Sequence, residues 1–155
     1  MFREMRRKER IKTYEENIQI LEECTNGVLS VIGDDGYPYG VPVSYVYNDG
    51  KIYFHCAVEG HKIDAIKAEP KVSFTVVGAD NINAEKFTTS YKSVICFGKA
   101  VILEGDNKQK AMEMIVEKYS ADFKEKGLEM IKAKWDRTAV VCVEIEHMTG
   151  KGMAR

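Results

Sequence analysis

The stretch GVLSVIGDDGYPYGVPVSYVYNDGKIYFHCA, residues 27–57, decides the fold. It contains three apolar runs separated by turn residues. Runs rich in Val, Ile and Tyr with alternating character read as strands. Asp34-Asp35-Gly36 has turn chemistry, and Asn48-Asp49-Gly50 is a strong hairpin signal. GVLSVIG (27–33), YGVPVSYVY (39–47) and KIYFHCA (51–57) are therefore expected to be strands, with antiparallel pairing favoured by the hairpins. Pro42 hints at an edge or a bulge in the second of them.

Upstream, Ile11, Tyr14, Ile18 and Leu21 follow a three-four-three spacing. That spacing predicts one apolar face of a helix ending near Asn26-Gly27. Downstream, GHKIDAIKA (60–68) reads as a short helix stopped by Glu69-Pro70. KVSFTVV (71–77) is a fourth strand, and residues 79–90 read as a loop or irregular crossover. SVICFGKAVILEG (93–105) is a long strand in which Gly98 marks a bend or bulge. Ala111, Met112, Ile115, Val116 and Tyr119 make one helical face, and Leu128, Ile131 and Trp135 a second. TAVVCVEIEHM (138–148) is the last strand, and TGKGMAR (149–155) reads as a tail. Six strands with helices between them predict an α+β fold built as a small antiparallel barrel.

The chain has 155 residues, the size of one ordinary domain, so residues 1–155 are expected to form a single unit. A net charge of −1 gives no drive toward nucleic acid or anionic membrane. No run reaches the length of a membrane span, and MFREMRRKER is followed by no apolar stretch, so a cytoplasmic location is expected. MRRKER reads as the solvated start of the first helix, with a nucleic-acid contact as the alternative. Three of the four cysteines, Cys56, Cys96 and Cys142, sit in strand-like runs and read as buried thiols. The histidines and cysteines lack zinc-site spacing, so no metal is expected.

Alternation divides the third strand into two faces. Ile52, Phe54 and Cys56 read as core, while Tyr53, His55 and Ala57 point elsewhere. The strand then feeds Gly60-His61-Lys62 at a helix start. A lysine there opposes the helix dipole. Either Lys62 is simply exposed, or the free N–H groups of the first turn and the Lys62 ammonium together hold a phosphate, with Gly60 admitting the ligand to the backbone.

PYGVPVSYVY (38–47), IYFHCAVEGHK (52–62), YKSVICFGKA (91–100) and MTGK (148–151) occur here in an order that resembles the pyridoxamine 5′-phosphate oxidase-like flavoproteins. Within them the sequence is most similar to the nitroimidazole-resistance branch, over nearly the whole chain. The resemblance implies a six-stranded antiparallel split β-barrel that binds FMN at the interface of a homodimer. It implies that Pro42, Val43 and Ser44 lie along the flavin ring and that Phe54 and His55 border the ribityl chain and ring. Gly60, His61 and Lys62 would take the phosphate. Tyr91, Ser93 and Val94 would close the site from the neighbouring strand, with Lys151 as a further contact. His55 is the catalytic candidate.

The expected activity is transfer of electrons or hydride from reduced flavin to a small acceptor, with a nitroaromatic such as a 5-nitroimidazole as one candidate. His55 would position the acceptor or supply a proton. Gly60-His61 stands where true pyridoxamine phosphate oxidases carry serine and arginine, and their arginine ahead of the PVSYV stretch has no counterpart here. A non-enzymatic flavin- or haem-binding redox module and a pyridoxamine phosphate oxidase stand as the alternatives.

Overall fold

A computed structural model describes residues 1–153. Its elements are α1 (Tyr14–Glu23), β1 (Asn26–Ile32), β2 (Pro38–Ser44), β3 (Val46–Asn48), β4 (Lys51–Ala57), α2 (His61–Ala68), β5 (Lys71–Asn83), β6 (Thr88–Ile102), α3 (Gly105–Ser120), α4 (Lys124–Lys134) and β7 (Thr138–Gly152). The strands form one antiparallel sheet in the order β2-β1-β5-β6-β7-β4-β3.

Seven strands replace the expected six because the run 39–47 is divided at Tyr45. β2 pairs with β1 at one end of the sheet and β3 pairs with β4 at the other. The two ends of the sheet are therefore consecutive in the chain, and Tyr45 joins them. The barrel closes through covalent backbone instead of a last ladder of hydrogen bonds. Tyr45 is fully buried, donates its hydroxyl to the Leu21 carbonyl at 2.7 Å and packs edge-on against Phe74 at 5.1 Å. Its own backbone is clasped from α3. The Tyr119 hydroxyl accepts from the Tyr45 N–H at 3.2 Å, and Lys118 donates to the carbonyls of Cys24 and Tyr45.

The first helix is shorter than its apolar spacing predicts. Thr13 and Glu16 form a reciprocal capping box, which fixes the start at Tyr14. Ile11 falls outside and bridges to Lys151, and the buried face is Asn17, Ile20 and Leu21. The helix ends at Glu23 because Asn26 and Gly27 belong to β1, where the Phe74 ring occupies the space a Cβ on Gly27 would need. MRRKER is not the start of this helix; it includes a short 3₁₀ turn at Lys8–Arg10.

The stretch 79–90 is no crossover. β5 and β6 continue as a two-stranded arm closed at Ala84–Phe87, with Ile82 and Phe87 almost wholly exposed. The expected bulge at Gly98 is present, since the β6–β7 register shifts between Phe97 and Gly98. Asp49 and Gly50 both take positive φ, as the two-residue hairpin requires. The expected tail is strand as far as Gly152, while Ala154 and Arg155 lie outside the described residues.

The barrel interior holds Leu29, Val31, Ile52, Phe54, Phe74, Val76, Val94, Cys96, Val141 and Val143. The four cysteines are unpaired, with Cys96 and Cys142 buried and Cys56 half-buried. No helix is long and apolar enough to cross a membrane among the described residues.

Candidate functional site

β4 and α2 build the first part of the site. β4 lies between β3 and β7, with Ile52 and Phe54 fully buried and His55, paired with Val140, on the outer side. The alternation of the strand thus separates core from outer face as the sequence implies. The Phe54 side chain belongs to the core, so only its backbone can meet a ligand on the outer face.

Gly60 caps α2 with φ of 137° and offers no side-chain hydrogen bond. A Cβ there would meet nothing within 4 Å, so glycine is required by the backbone angle and leaves the helix end open. The first helical hydrogen bond runs from the Asp64 N–H to the Gly60 carbonyl at 3.0 Å. The N–H groups ahead of it in the first turn have no acceptor within the helix. Lys62 is half-buried beside them and makes no ion pair among the described residues.

Lys62 also acts on its neighbours. Burial, and then the Lys62 charge, hold the His55 imidazole below its ordinary pKa. His55 is therefore neutral at pH 7. His61 is turned to another task. Its Nε2 accepts from the Asp34 N–H at 3.3 Å, and its ring stacks on Tyr39 at 4.2 Å. It ties α2 to the β1–β2 connection, and its imidazole is already engaged there.

Pro42, Val43 and Ser44 lie on β2, opposite Val28, Gly27 and Asn26 of β1. Pro42 and Ser44 are exposed, while Val43 packs against the core. Proline fits here because β2 pairs on one side only at this end of the sheet.

The remaining residues stand apart. Ser93 pairs with Lys151 and Val94 with Gly150 on β6 and β7. Val94 is fully buried, so its side chain faces the core. β6 is not the neighbour of β4 or β2, since β7 separates it from one and β5 and β1 from the other. From Val140, opposite His55, to Lys151, β7 runs roughly 35 Å at the rise of a strand. One chain therefore does not bring Tyr91, Ser93 and Lys151 to His55. Tyr91 is instead engaged locally. Arg10 donates to its hydroxyl at 3.3 Å, which lowers the phenol's pKa, and the Lys151 ammonium sits 5.9 Å from the ring centroid.

Beside His55 lies a groove of about 510 Å³ between β4 and the α3–α4 hairpin. Met112, Ile115, Val116, Phe123 and Met130 supply its apolar wall. Helical periodicity assigns most of these residues to buried faces; in the structure they line the groove.

The pyridoxamine 5′-phosphate oxidase family model matches residues 13–152. No curated protein matches the chain. Among solved structures, a Bacteroides thetaiotaomicron protein named for 5-nitroimidazole antibiotic resistance is similar at 22% identity. The match covers 92% of this chain and 85% of that one with a TM-score of 0.75. The flavocytochrome Anf3 from Azotobacter vinelandii is 18% identical over 98% of this chain and 73% of its own, with a TM-score of 0.79. An FAD-binding protein from Mesorhizobium loti is 24% identical over 94% of this chain and 98% of its own, with a TM-score of 0.62. At such identities the likeness is one of fold, and that fold is the split barrel. The family match, together with the β4–α2 geometry, gives the identification: this chain belongs to the pyridoxamine 5′-phosphate oxidase family.

Proposed function

We propose that the protein is an FMN-binding oxidoreductase acting as a homodimer, with His55 beside the reacting groups. The observation that carries this reading is the open N-terminus of α2. It has free N–H groups, a glycine at φ of 137°, no side-chain cap and a lysine without an ion-pair partner among the described residues. These features fit a phosphate monoester. The likeness to an FAD-binding protein and a flavocytochrome supports a flavin as its carrier.

Gly60 and Lys62 hold the phosphate in this reading, and His61 fixes the helix against the β1–β2 connection. Pro42, Val43 and Ser44 offer edge-strand backbone to the ring. Flavin, when bound, supplies the two-electron chemistry. His55 is neutral at working pH; it orients the acceptor and holds or releases a proton at its imidazole.

Two features support the homodimer. Tyr91, Ser93 and Lys151 lie far from His55 within one chain, so in this reading they would reach the site from a second copy. The outer face between Pro42 and Ser93 also exposes Val28, Ile32, Val77, Ile95 and Phe97, an apolar surface that a second copy would cover.

A nitroaromatic acceptor is the finer reading, supported by the likeness to the 5-nitroimidazole resistance protein. Titration with FMN tests the core of the proposal: saturable quenching of flavin fluorescence supports it, and its absence at micromolar protein refutes it. Loss of 5-nitroimidazole absorbance under a reduced nicotinamide, slowed in His55→Ala, would support the acceptor and the role of His55. Sedimentation of the FMN-loaded protein as a monomer would refute the shared site. A redox module carrying haem is the second reading, favoured by the flavocytochrome likeness; a Soret band on haem addition without FMN binding would select it.

A further inference from the structure

The groove beside His55 has a charge pattern that its apolar wall does not require. Among the described residues, Lys126 and Lys134 are the lysines or arginines that line it, and no aspartate or glutamate does. Neither lysine makes an ion pair among the described residues. Both are on α4, and both are exposed. The wall includes one aromatic ring, Phe123, and two thioethers, Met112 and Met130. Such side chains pack well against a flat π-system. The volume of about 510 Å³ lies within the range of small-molecule sites.

We infer that this groove binds a small conjugated or aromatic monocarboxylate, with its ring against Phe123 and Met130, its carboxylate at one of the two lysines, Lys126 or Lys134, and His55 bordering the same space. The groove is built by one chain and needs neither flavin nor a second copy. That the bound acid is the electron acceptor rests on the flavoprotein reading; that the groove binds it does not.

The charge pattern decides between occupants. A cation would be repelled by the two lysines, whereas a carboxylate at the groove's end could pair with one of them.

trans-Cinnamate is the probe, and its neutral amide is the control. Calorimetric titration of the full chain, with and without FMN, is expected to show saturable binding of cinnamate in both states. Cinnamamide should bind at least about tenfold more weakly. The double variant Lys126→Ala/Lys134→Ala should lose about tenfold in cinnamate affinity and little in cinnamamide affinity. Met130→Trp, a change at a partly exposed site, should intrude on the ring's place in the groove and weaken binding of both while the circular dichroism spectrum is kept.

Absence of saturable cinnamate binding would overturn the inference. So would equal affinity for the amide, or cinnamate binding untouched by Met130→Trp. Competition between FMN and cinnamate would also overturn it, by making the groove part of the flavin's own site. FMN titration on the same samples separates the two readings: cinnamate binding without FMN binding removes the flavoprotein and keeps the groove, and the converse does the reverse.

Discussion

The corner around His55 and the corner around Tyr91 use similar residue types, an aromatic or imidazole ring beside a lysine, yet their polar groups are arranged in opposite ways. At Tyr91 the groups satisfy one another. Arg10 donates to the phenol, Lys151 lies against the ring and the Met153 N–H donates to the Tyr91 carbonyl at 3.0 Å. At His55 the donors are left free: an uncapped helix start, a lysine with no ion-pair partner among the described residues, and an imidazole kept neutral. A corner that satisfies itself contributes to the fold. One that leaves donors open in a row is suited to receive an anion, and the same lysine that would hold it depresses the histidine beside it.

The sharpest way to break this contrast is Lys62→Glu. Reversing the charge at the open corner should lower FMN affinity about 100-fold, roughly 2.7 kcal/mol, with the thermal midpoint of the flavin-free protein unchanged. Fluorescence titration and a thermal melt on the same sample read both. Unaltered FMN affinity would move the phosphate away from α2.

Gly60→Ala comes next. The added methyl has open space but a forbidden backbone angle, so the cost is conformational, about 1–3 kcal/mol by urea denaturation. Stability equal to wild type would mean that α2 starts differently in solution.

Tyr91→Phe probes the satisfied corner and should change FMN affinity only a few-fold, because Arg10 already holds the phenol. A loss as large as that of Lys62→Glu would make the two corners equal partners.

The smallest effect is one of pH. Burial and Lys62 depress the His55 pKa, so the unfolded chain takes up its proton first as pH falls. The contribution of His55 to stability is therefore complete above about 6.5 and declines below it toward the lower folded value. His55→Gln should flatten that part of the stability profile, measured by urea denaturation between pH 7.5 and 5. An unchanged slope would place the responsible proton elsewhere.

Much of the open corner was legible in the sequence, because β4 and α2 obey local rules. The alternation Ile52-Tyr53-Phe54-His55 sets the faces, Gly60 opens the helix, and Glu69-Pro70 ends it. Other regions follow rules that a periodicity cannot carry. The run 39–47 alternates without interruption through Tyr45, so nothing local says that the chain changes sheet partner there; Leu21, Phe74 and Tyr119 decide that from afar. The β5–β6 arm has no buried face, and its strands are held by mutual pairing alone. At α1 the Thr13–Glu16 box outweighs the apolar spacing that begins at Ile11. The separation of Tyr91 and Lys151 from His55 is a property of strand order, which only the closed sheet reveals.

The covalent seam at Tyr45 also bears on how the chain folds. β1 and β2 can pair early through a short connection, as can β3 and β4. The barrel is not secured, however, until α3 arrives to bond Cys24, Thr25 and Tyr45, and the Lys118–Cys24 and Tyr119–Thr25 contacts each span 94 positions of sequence. Closing so long a loop is slow and entropically costly before its contacts repay it. The seam is thus expected to lock last, so that a chain emerging in order holds two hairpins in waiting until its second half is made.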